Sequence, residues 1–252
     1  MRVQAKKSLG QHFLVDENIL RVVERLAELD PGDVVLEVGP GLGVLTRFLA
    51  ERVAHVHAVE VDTRLAAGLE GIPRTTIHWG DALRVDITEL VPPPHKLVAN
   101  LPYNIATPLV AESLVVDQIT SWCVMVQREV ADRFFAQPST KAYGAVSVLV
   151  QLAAKRTGFH PVSREVFRPR PNVESALVAF HRVAPGVAPE VKRVVEGAFG
   201  HRRKTLANSL SLSGLATRAR VVAALGEIGR EAAVRAEALS PHEFVALADA
   251  LR

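Results

Sequence analysis

The chain of 252 residues holds a single cysteine, Cys123, and so cannot close an internal disulfide. That thiol lies in the apolar run Trp122-Cys123-Val124-Met125-Val126, which reads as a buried strand, so an inert thiol is expected and not a nucleophile. No stretch approaches the roughly 20 uninterrupted apolar residues that a membrane span requires. The basic stretch from Met1 to Ser8 runs into Gly10-Gln11-His12 and not into an apolar segment, so no secretory signal is expected. Internal repeats and metal-ligand spacing are also missing, and the nine histidines are scattered. The chain is therefore expected to be soluble and cytoplasmic, with neither membrane nor metal among its partners, and a monomer is the default expectation.

What is present begins with an ordinary globular composition, 48% apolar, long enough for one large domain or for a core domain with an appendage. The net charge is only +3, yet residues 188–252 carry ten Lys/Arg against seven Asp/Glu, which is that whole excess. Arg2, Lys6 and Lys7 also stand together with no acid before Asp16. A basic patch at each end suits a polyanion partner, although a solvated face is the commoner use of such charge.

Along the chain, Asp16 reads as the N-cap of a helix through Ala27 that ends at Asp30-Pro31-Gly32. The run Val34 to Val38 then closes on Gly39-Pro40-Gly41-Leu42-Gly43 and a helical pattern from Val44 to Leu49. Strand, glycine loop and helix open a nucleotide-binding α/β unit, and glycines such as Gly39 and Gly41 let the backbone approach a ligand. A dinucleotide fingerprint would place Gly or Ala at position 44, where this chain has Val44. The pattern Glu37-x-Gly39-x-Gly41-x-Gly43 is instead the form associated with methyltransferases that use S-adenosylmethionine (SAM). A strand from His55 to Val61 ends in Glu60, placed to accept hydrogen bonds from ribose hydroxyls. Another, Thr75 to Trp79, leads to Asp81, which can receive an adenine amino group.

The run Leu97-Val98-Ala99 empties into Asn100-Leu101-Pro102-Tyr103. Asn100 offers a side-chain carbonyl, and Leu101, held extended by the proline after it, offers a main-chain carbonyl in a fixed direction. Two acceptors aimed at an aromatic amine would counter the delocalisation of its lone pair, and Tyr103 supplies a flat face for a base, worth about 1–3 kcal/mol. The plainer alternative is a strand-ending turn. Thr107 and Pro108 read as N-cap and first-turn proline of a helix through Leu114. A helix from Arg128 to Phe135, another from Tyr143 to Ala154, and a last strand from near Val173 to Ala179 follow. Between the last two strands lies a stiff loop, Phe167-Arg168-Pro169-Arg170-Pro171. Beyond residue 183 the patterns are all helical, opening with the basic cluster Arg202-Arg203-Lys204 and closing with a capping box at Ser240-Pro241-His242-Glu243. The fold class expected is α/β, a Rossmann-like SAM-dependent methyltransferase domain with a mainly parallel sheet over residues 1–183, and a small all-helical RNA-contacting domain over 184–252.

The order of these motifs resembles the ribosomal RNA adenine N6-dimethyltransferases, most closely the small-subunit branch known as KsgA or RsmA. The stretches that carry it are Lys7 to Leu14, Glu37 to Thr46, Asn100 to Ile105, Gln127 to Ala131, Lys141 to Gly144, Phe167-x-Pro169-x-Pro171-x-Val173-x-Ser175, and Arg202 to Leu210. The resemblance implies SAM contacts at His12, Leu14, Gly39, Glu60, Asp81 and Asn100, with His12 standing where many members have asparagine and a structural histidine as the alternative. It implies that Tyr103 stacks on the target base and makes Phe167 the candidate for its other face. It also implies direct methyl transfer to adenine N6 at two adjacent adenosines of a hairpin loop near the 3′ end of small-subunit RNA, in a partly assembled subunit. Lys6, Lys7, Arg168, Arg170, Arg202, Arg203 and Lys204 would then hold phosphates. Transfer here is positioning chemistry, because the nitrogen turns acidic once alkylated.

Three other readings compete. A large-subunit adenine methyltransferase of the macrolide-resistance type would share the cofactor site, and the Leu101 position and the Arg202 to Leu210 segment speak against it. A ribosome-assembly or RNA-binding factor without catalysis would not need Asn100. An NAD-dependent oxidoreductase is disfavoured by Val44.

Overall fold

The computed structural model describes Lys6 and residues 9–252. Two compact units emerge, one comprising the chain up to Ala131 together with Lys155–Val183, the other Asp132–Ala154 together with Ala184–Arg252. The boundary expected after residue 183 falls at an edge of both units. Residues 132–154, expected in the first domain, lie in the second unit.

The first unit holds β1 (Phe13–Leu14), α1 (Glu17–Ala27), β2 (Val34–Val38), α2 (Val44–Ala50), β3 (His55–Glu60), a short α3 (Ala66–Leu69), β4 (Thr75–Trp79), β5 (Lys96–Asn100), α4 (Ala106–Ser113) and β6 (Ser121–Gln127). After α5 (Arg128–Phe134) and α6 (Ala145–Ala153) come β7 (Ala154–Val162), β8 (Phe167–Arg168) and β9 (Ser175–Arg182). Seven strands form one sheet in the order β4-β3-β2-β5-β6-β9-β7, and β1 pairs with β8 in a separate two-stranded ladder. Strands β2 to β6 pair in parallel, and β9 runs antiparallel to β6.

Strand alternation explains the layers. Val35, Val98, Cys123, Met125, Leu177 and Ala179 share one core cluster with α1 and α2 residues such as Leu20, Val23 and Leu49. The intervening Trp122 and Phe180 stack at 5.0 Å on the opposite face, where the Trp122 indole donates to Ser113 Oγ of α4 at 2.8 Å. Cys123 is buried, and burial pushes its thiol up to about 12, consistent with an inert role.

Local chemistry sets the helix starts. Asp16 caps α1 by accepting from the Asn18 amide at 2.7 Å. At α10 (Pro241–Ala250) the Glu243 carboxylate reaches back to the Ser240 amide at 2.8 Å. Thr107 is not the cap expected of it. Helix α4 begins at Ala106, with Ile105 in the cap position and no side-chain cap bond. Pro108 therefore falls in the first turn, where its missing N–H costs no helical bond. Strand β7 was not expected, because Lys155, Arg156 and Thr157 are exposed and carry no apolar alternation; it forms the sheet's edge.

One pH-sensitive feature lies in β3 and β4. His57 Nε2 sits 2.8 Å from the Pro92 carbonyl, which can only accept, so His57 Nδ1 is left as the acceptor for His78 Nε2 at 3.0 Å. The His55 ring lies 4.6 Å from that of His57. Burial holds all three imidazoles below their ordinary value of 6.5. A base with a depressed folded value contributes stability above its unfolded value and loses it as pH falls, since the unfolded chain binds the extra protons. The gap in melting temperature between the wild type and a His78→Gln variant should therefore narrow as pH is lowered from about 7.5 to about 5.5.

The second unit is helical, with α6, α7 (Pro189–Phe199), α8 (Leu206–Leu212), α9 (Arg218–Glu227) and α10. Tyr143, wholly buried, donates to the Leu239 carbonyl at 2.9 Å, and its ring meets Phe199, which in turn meets Phe244.

Candidate active site

The site follows from the strand order. Strands β2 and β5 are neighbours, but the chain leaves β2 toward β3 on one side and leaves β5 toward β6 on the other. That divergence opens a crevice at the carboxyl ends of the parallel strands. The glycine loop after β2, Glu60 at the end of β3, Asp81 after β4 and Asn100 at the end of β5 all reach it. Two adjoining cavities result. One is lined by Leu9 to Leu14, Glu37, Gly39, Gly41, Glu60 and Asn100 to Tyr103. The other, of about 200 Å³, is lined by Gly39, Glu60, Gly80, Asp81, Ala82, Pro102 and Asn104 among others.

The glycine loop makes the approach close. Gly39 has φ +73°, and a Cβ there would stand 3.0 Å from Pro102 Cδ. Gly41 has φ +59°, and a Cβ there would stand 2.9 Å from Phe13 Cδ1. Side chains at either position would fill the cradle. Glu60 is buried; one of its oxygens accepts from the Gly41 amide at 3.2 Å and the other from the Asp62 amide at 2.8 Å. Each oxygen retains a second lone pair, and burial pushes the carboxyl upward despite these donors.

Glu37, one per cent exposed, lines the first cavity, and its Oε2 has no hydrogen-bond partner among the described residues. Burial pushes its carboxyl up to about 8, with the neighbouring Thr46 hydroxyl opposing the rise and the nearby Glu60 adding to it. An orphaned buried oxygen of this kind is placed for a cationic or hydrogen-bond-donating ligand group. A glycine cradle, a strand-end carboxylate and this oxygen are the kinds of group that the ribose and amino acid ends of SAM would require.

Asn100 Nδ2 donates to the main-chain carbonyl of His12 at 3.1 Å, which fixes the amide with Oδ1 as the remaining acceptor. Among the described residues neither Asn100 Oδ1 nor the Leu101 carbonyl accepts a bond, while the Leu101 amide is held by the Met125 carbonyl at 3.0 Å. Tyr103 is half-buried and its hydroxyl lies 2.6 Å from Ser175 Oγ. Burial raises its phenol above 10.0.

The amino-terminal strap is tied down on both sides. Phe13 and Leu14 pair with Arg168 and Phe167, and the Val15 amide donates to the Val166 carbonyl at 2.9 Å. His12 Nδ1 lies 2.7 Å from the Pro169 carbonyl. Gln11 and Lys6 both reach Asp62, at 3.0 and 3.4 Å. Arg64 Nη2 sits 2.6 Å from the same carboxylate and is the main cause holding it well below the usual carboxylate range.

Several expected roles change. Phe167 has no exposed surface and belongs to the hydrophobic core beneath β1, so it presents no second face to a base in this structure. Pairing with Leu14 carries its ring inward. Arg168 donates to the Glu165 and Phe167 carbonyls, Arg170 pairs with Glu165 at 2.7 Å, and Arg202 donates to the Tyr143 carbonyl at 2.7 Å. Arg168 and Arg170 thus bond within their own loop, while Arg202 and Lys6 tie together segments distant in the chain. Arg203 and Lys204 are exposed, with no side-chain partner among the described residues; Lys7 lies outside those residues. Sequence reasoning missed Glu37 as an orphan, and also Gln11, Asp62 and Ser175. Gln11 and Ser175 stood inside quoted motifs, and Asp62 was visible as a second acid past the strand end, but their partners lie 51 to 72 residues away along the chain.

Fold and site together define a Rossmann-like methyltransferase that takes its methyl group from SAM. The family described as "Ribosomal RNA adenine dimethylase" matches residues 2–251. The chain is 49% identical over 251 residues to a ribosomal RNA small subunit methyltransferase A of Rubrobacter xylanophilus, covering 96% of this chain and 93% of the relative. It is 43% identical over 267 residues to the protein of that name from Streptococcus pneumoniae strain P1031, covering 98% and 92%. Among solved structures it is similar to a dimethyladenosine transferase from Plasmodium falciparum, with TM-score 0.75, 23% identity and coverage of 94% and 96%. It is also similar to the 23S rRNA methyltransferase ErmE, with TM-score 0.62, 29% identity and coverage of 95% and 99%. The chain belongs to the ribosomal RNA adenine dimethylase family and is a SAM-dependent enzyme.

Proposed function

We propose that this enzyme dimethylates N6 of two adjacent adenosines in the 3′-terminal hairpin loop of small-subunit ribosomal RNA, in a partly assembled particle, in the cytoplasm, and as a monomer. The observation that carries the chemistry is a pair of acceptors, Asn100 Oδ1 and the Leu101 carbonyl, unpartnered among the described residues and lining a cavity shared with Tyr103. Both would take hydrogens of an exocyclic amine and draw its lone pair out of the ring, while the Tyr103 face stacks the base. SAM, when bound, supplies an electrophilic methyl. Gly39, Gly41, Glu60, Asp81, Leu14 and His12 would hold it. A base must leave its stack to reach this crevice, which favours a loop substrate. Arg203 and Lys204 are the exposed cations best placed by chemistry for phosphate contact.

Incubating the protein with undermethylated small subunits and labelled SAM, then mapping the labelled nucleotides, tests the substrate. Label in the 3′-terminal loop of the small-subunit RNA supports the reading, and label in large-subunit RNA under the same conditions overturns it.

Glu37 yields a prediction on cofactor binding. With its carboxyl near 8 it is mostly protonated at neutral pH. An incoming ammonium favours the ionised form, so binding should release a proton and tighten as pH rises from about 6 to about 8. Calorimetry of SAM binding in buffers of different ionisation heat measures that proton directly. A Glu37→Gln variant should bind more weakly and lose most of the pH dependence.

A further inference from the structure

The stretch from Phe167 to Ser175 was expected to serve the site through the Phe167 ring, which instead lies in the core. Ser175, at its far end, reaches the site by another route. Strand β9 runs antiparallel to β6, so its first residue arrives opposite Gln127, at the carboxyl end of β6 and next to the strand that ends in Asn100. Alternation puts Ser175 on the same face as Leu177 and Ala179, which belong to the apolar core cluster. A hydroxyl there, one per cent exposed, costs free energy unless it is hydrogen-bonded. Among the described residues the Ser175 Oγ bonds the Tyr103 hydroxyl alone, at 2.6 Å. Tyr103 is thereby held at two ends. Its main chain is set by the turn in which the Ile105 and Ala106 amides donate to the Pro102 carbonyl. Its hydroxyl lies on the long axis of the ring, so the bond to Ser175 fixes the direction of that axis and with it the first side-chain torsion. The His12 ring lies 5.5 Å away, centre to centre, at a tilt of 31°, so rotation about the axis has a neighbour to pass.

We propose that Ser175 is a positioning residue for methyl transfer, its hydroxyl aiming the Tyr103 ring at the target base. The inference rests on the reading of Tyr103 as the stacking face. Stacking by itself needs no hydroxyl, because the ring supplies the surface. Aim does need one. A base laid on an untethered ring would share the motion of that ring, and its amine would spend part of the time off the line of attack. Misplacement by about 1 Å can lower a rate by as much as about a hundredfold. One hydrogen bond between neutral groups restrains less than that, and its loss is expected to cost about three- to tenfold. A brace for the fold is the plainer use of such a bond, but β9 is already paired with β6 from Ser175 to His181 through the main chain, so the hydroxyl is not needed to seat the strand.

The test is a double-mutant cycle over Ser175→Ala and Tyr103→Phe, read as single-turnover transfer from labelled SAM to undermethylated small subunits at saturating enzyme. Calorimetry with SAM and a subunit pull-down measure the two affinities separately. Each single variant should lower the rate by about fivefold, and the double variant by no more than either alone, because both changes remove the same bond. SAM and subunit affinities should change less than about twofold. Losses that multiply in the double variant, a rate unchanged by Ser175→Ala, or a loss confined to SAM affinity overturns the assignment. Should Ser175→Ala melt below the assay temperature, Tyr103→Phe breaks the same bond with the serine in place, and an unchanged rate there overturns the assignment equally. Tyr103→Ala separates the assignment from the reading beneath it. A lower rate in Tyr103→Ala beside any of those outcomes removes Ser175 alone, whereas an unchanged rate in Tyr103→Ala fails the stacking face, and the assignment falls with it.

Discussion

Asn100→Ala should lower the rate of methyl transfer by roughly 10²–10³-fold, the size of loss seen when one preorganised polar group is removed from a reacting centre. The reason is specific to this geometry. Asn100 Nδ2 is held by the His12 carbonyl at 3.1 Å, so the amide cannot rotate without breaking that bond, and Oδ1 is fixed as an acceptor toward the cavity. Alanine removes the acceptor and leaves the His12 carbonyl without its donor. The Leu101 carbonyl remains, since its direction is set by the Leu101 amide bond to Met125 in the neighbouring strand. The residual activity should come from that carbonyl and from stacking on Tyr103. Subunit binding should be nearly unchanged, because no part of the exposed cation surface is touched. Single-turnover rates alongside a subunit pull-down measure both quantities; an equal loss of rate and binding would contradict the separation of roles.

Gly39→Ala should weaken SAM binding by at least tenfold and lower the melting temperature. At φ +73° a residue with a Cβ carries strain of about 1–2 kcal/mol. The new methyl would also stand 3.0 Å from both Pro102 Cδ and Cγ. Pro102 is ring-closed and sits in the turn that aims Asn100 and Tyr103, so it cannot step aside as the tip of a long side chain can. Relief must come from the glycine loop or from the Asn100 to Tyr103 turn, and movement of either disturbs the crevice. Calorimetry with SAM reads the affinity, and the transfer rate at saturating SAM should also fall. A variant that binds SAM normally would show that the loop tolerates a side chain here and would remove Gly39 from the cradle.

Much of the first unit was legible because its signals are local. The Glu37 to Gly43 pattern needs only seven consecutive residues to announce strand, turn and ligand approach, and Asp16 caps α1 two residues from the amide it accepts. The misses share a cause. Thr107 and Pro108 looked like a helix start, but Leu101 to Ile105 already turn the chain, with the Ile105 and Ala106 amides both donating to the Pro102 carbonyl. Strand β7 lacks apolar alternation because an edge strand buries little, and it is recruited to the sheet only by β9, which follows it after an intervening loop. Phe167 reads equally well as a stacking ring or as core, and only the β1–β8 ladder decides for core.

The linear order of residues by itself determined the class of chemistry: an acid within a strand and three glycines after it, acids at two further strand ends, and Asn-Leu-Pro-Tyr closing a fourth. These depend on spacings of a few residues, which backbone sterics and hydrogen-bond geometry translate directly into local shape. Tertiary structure alone decided which polar atoms remain unpaired. Among the described residues Asn100 Oδ1, the Leu101 carbonyl and Glu37 Oε2 are left open because strap, loop and sheet bring in partners for the atoms beside them from as far as 88 residues away. A hydrogen bond acts over about 3 Å of space irrespective of separation along the chain, so its absence, like its presence, is settled only when the fold has closed.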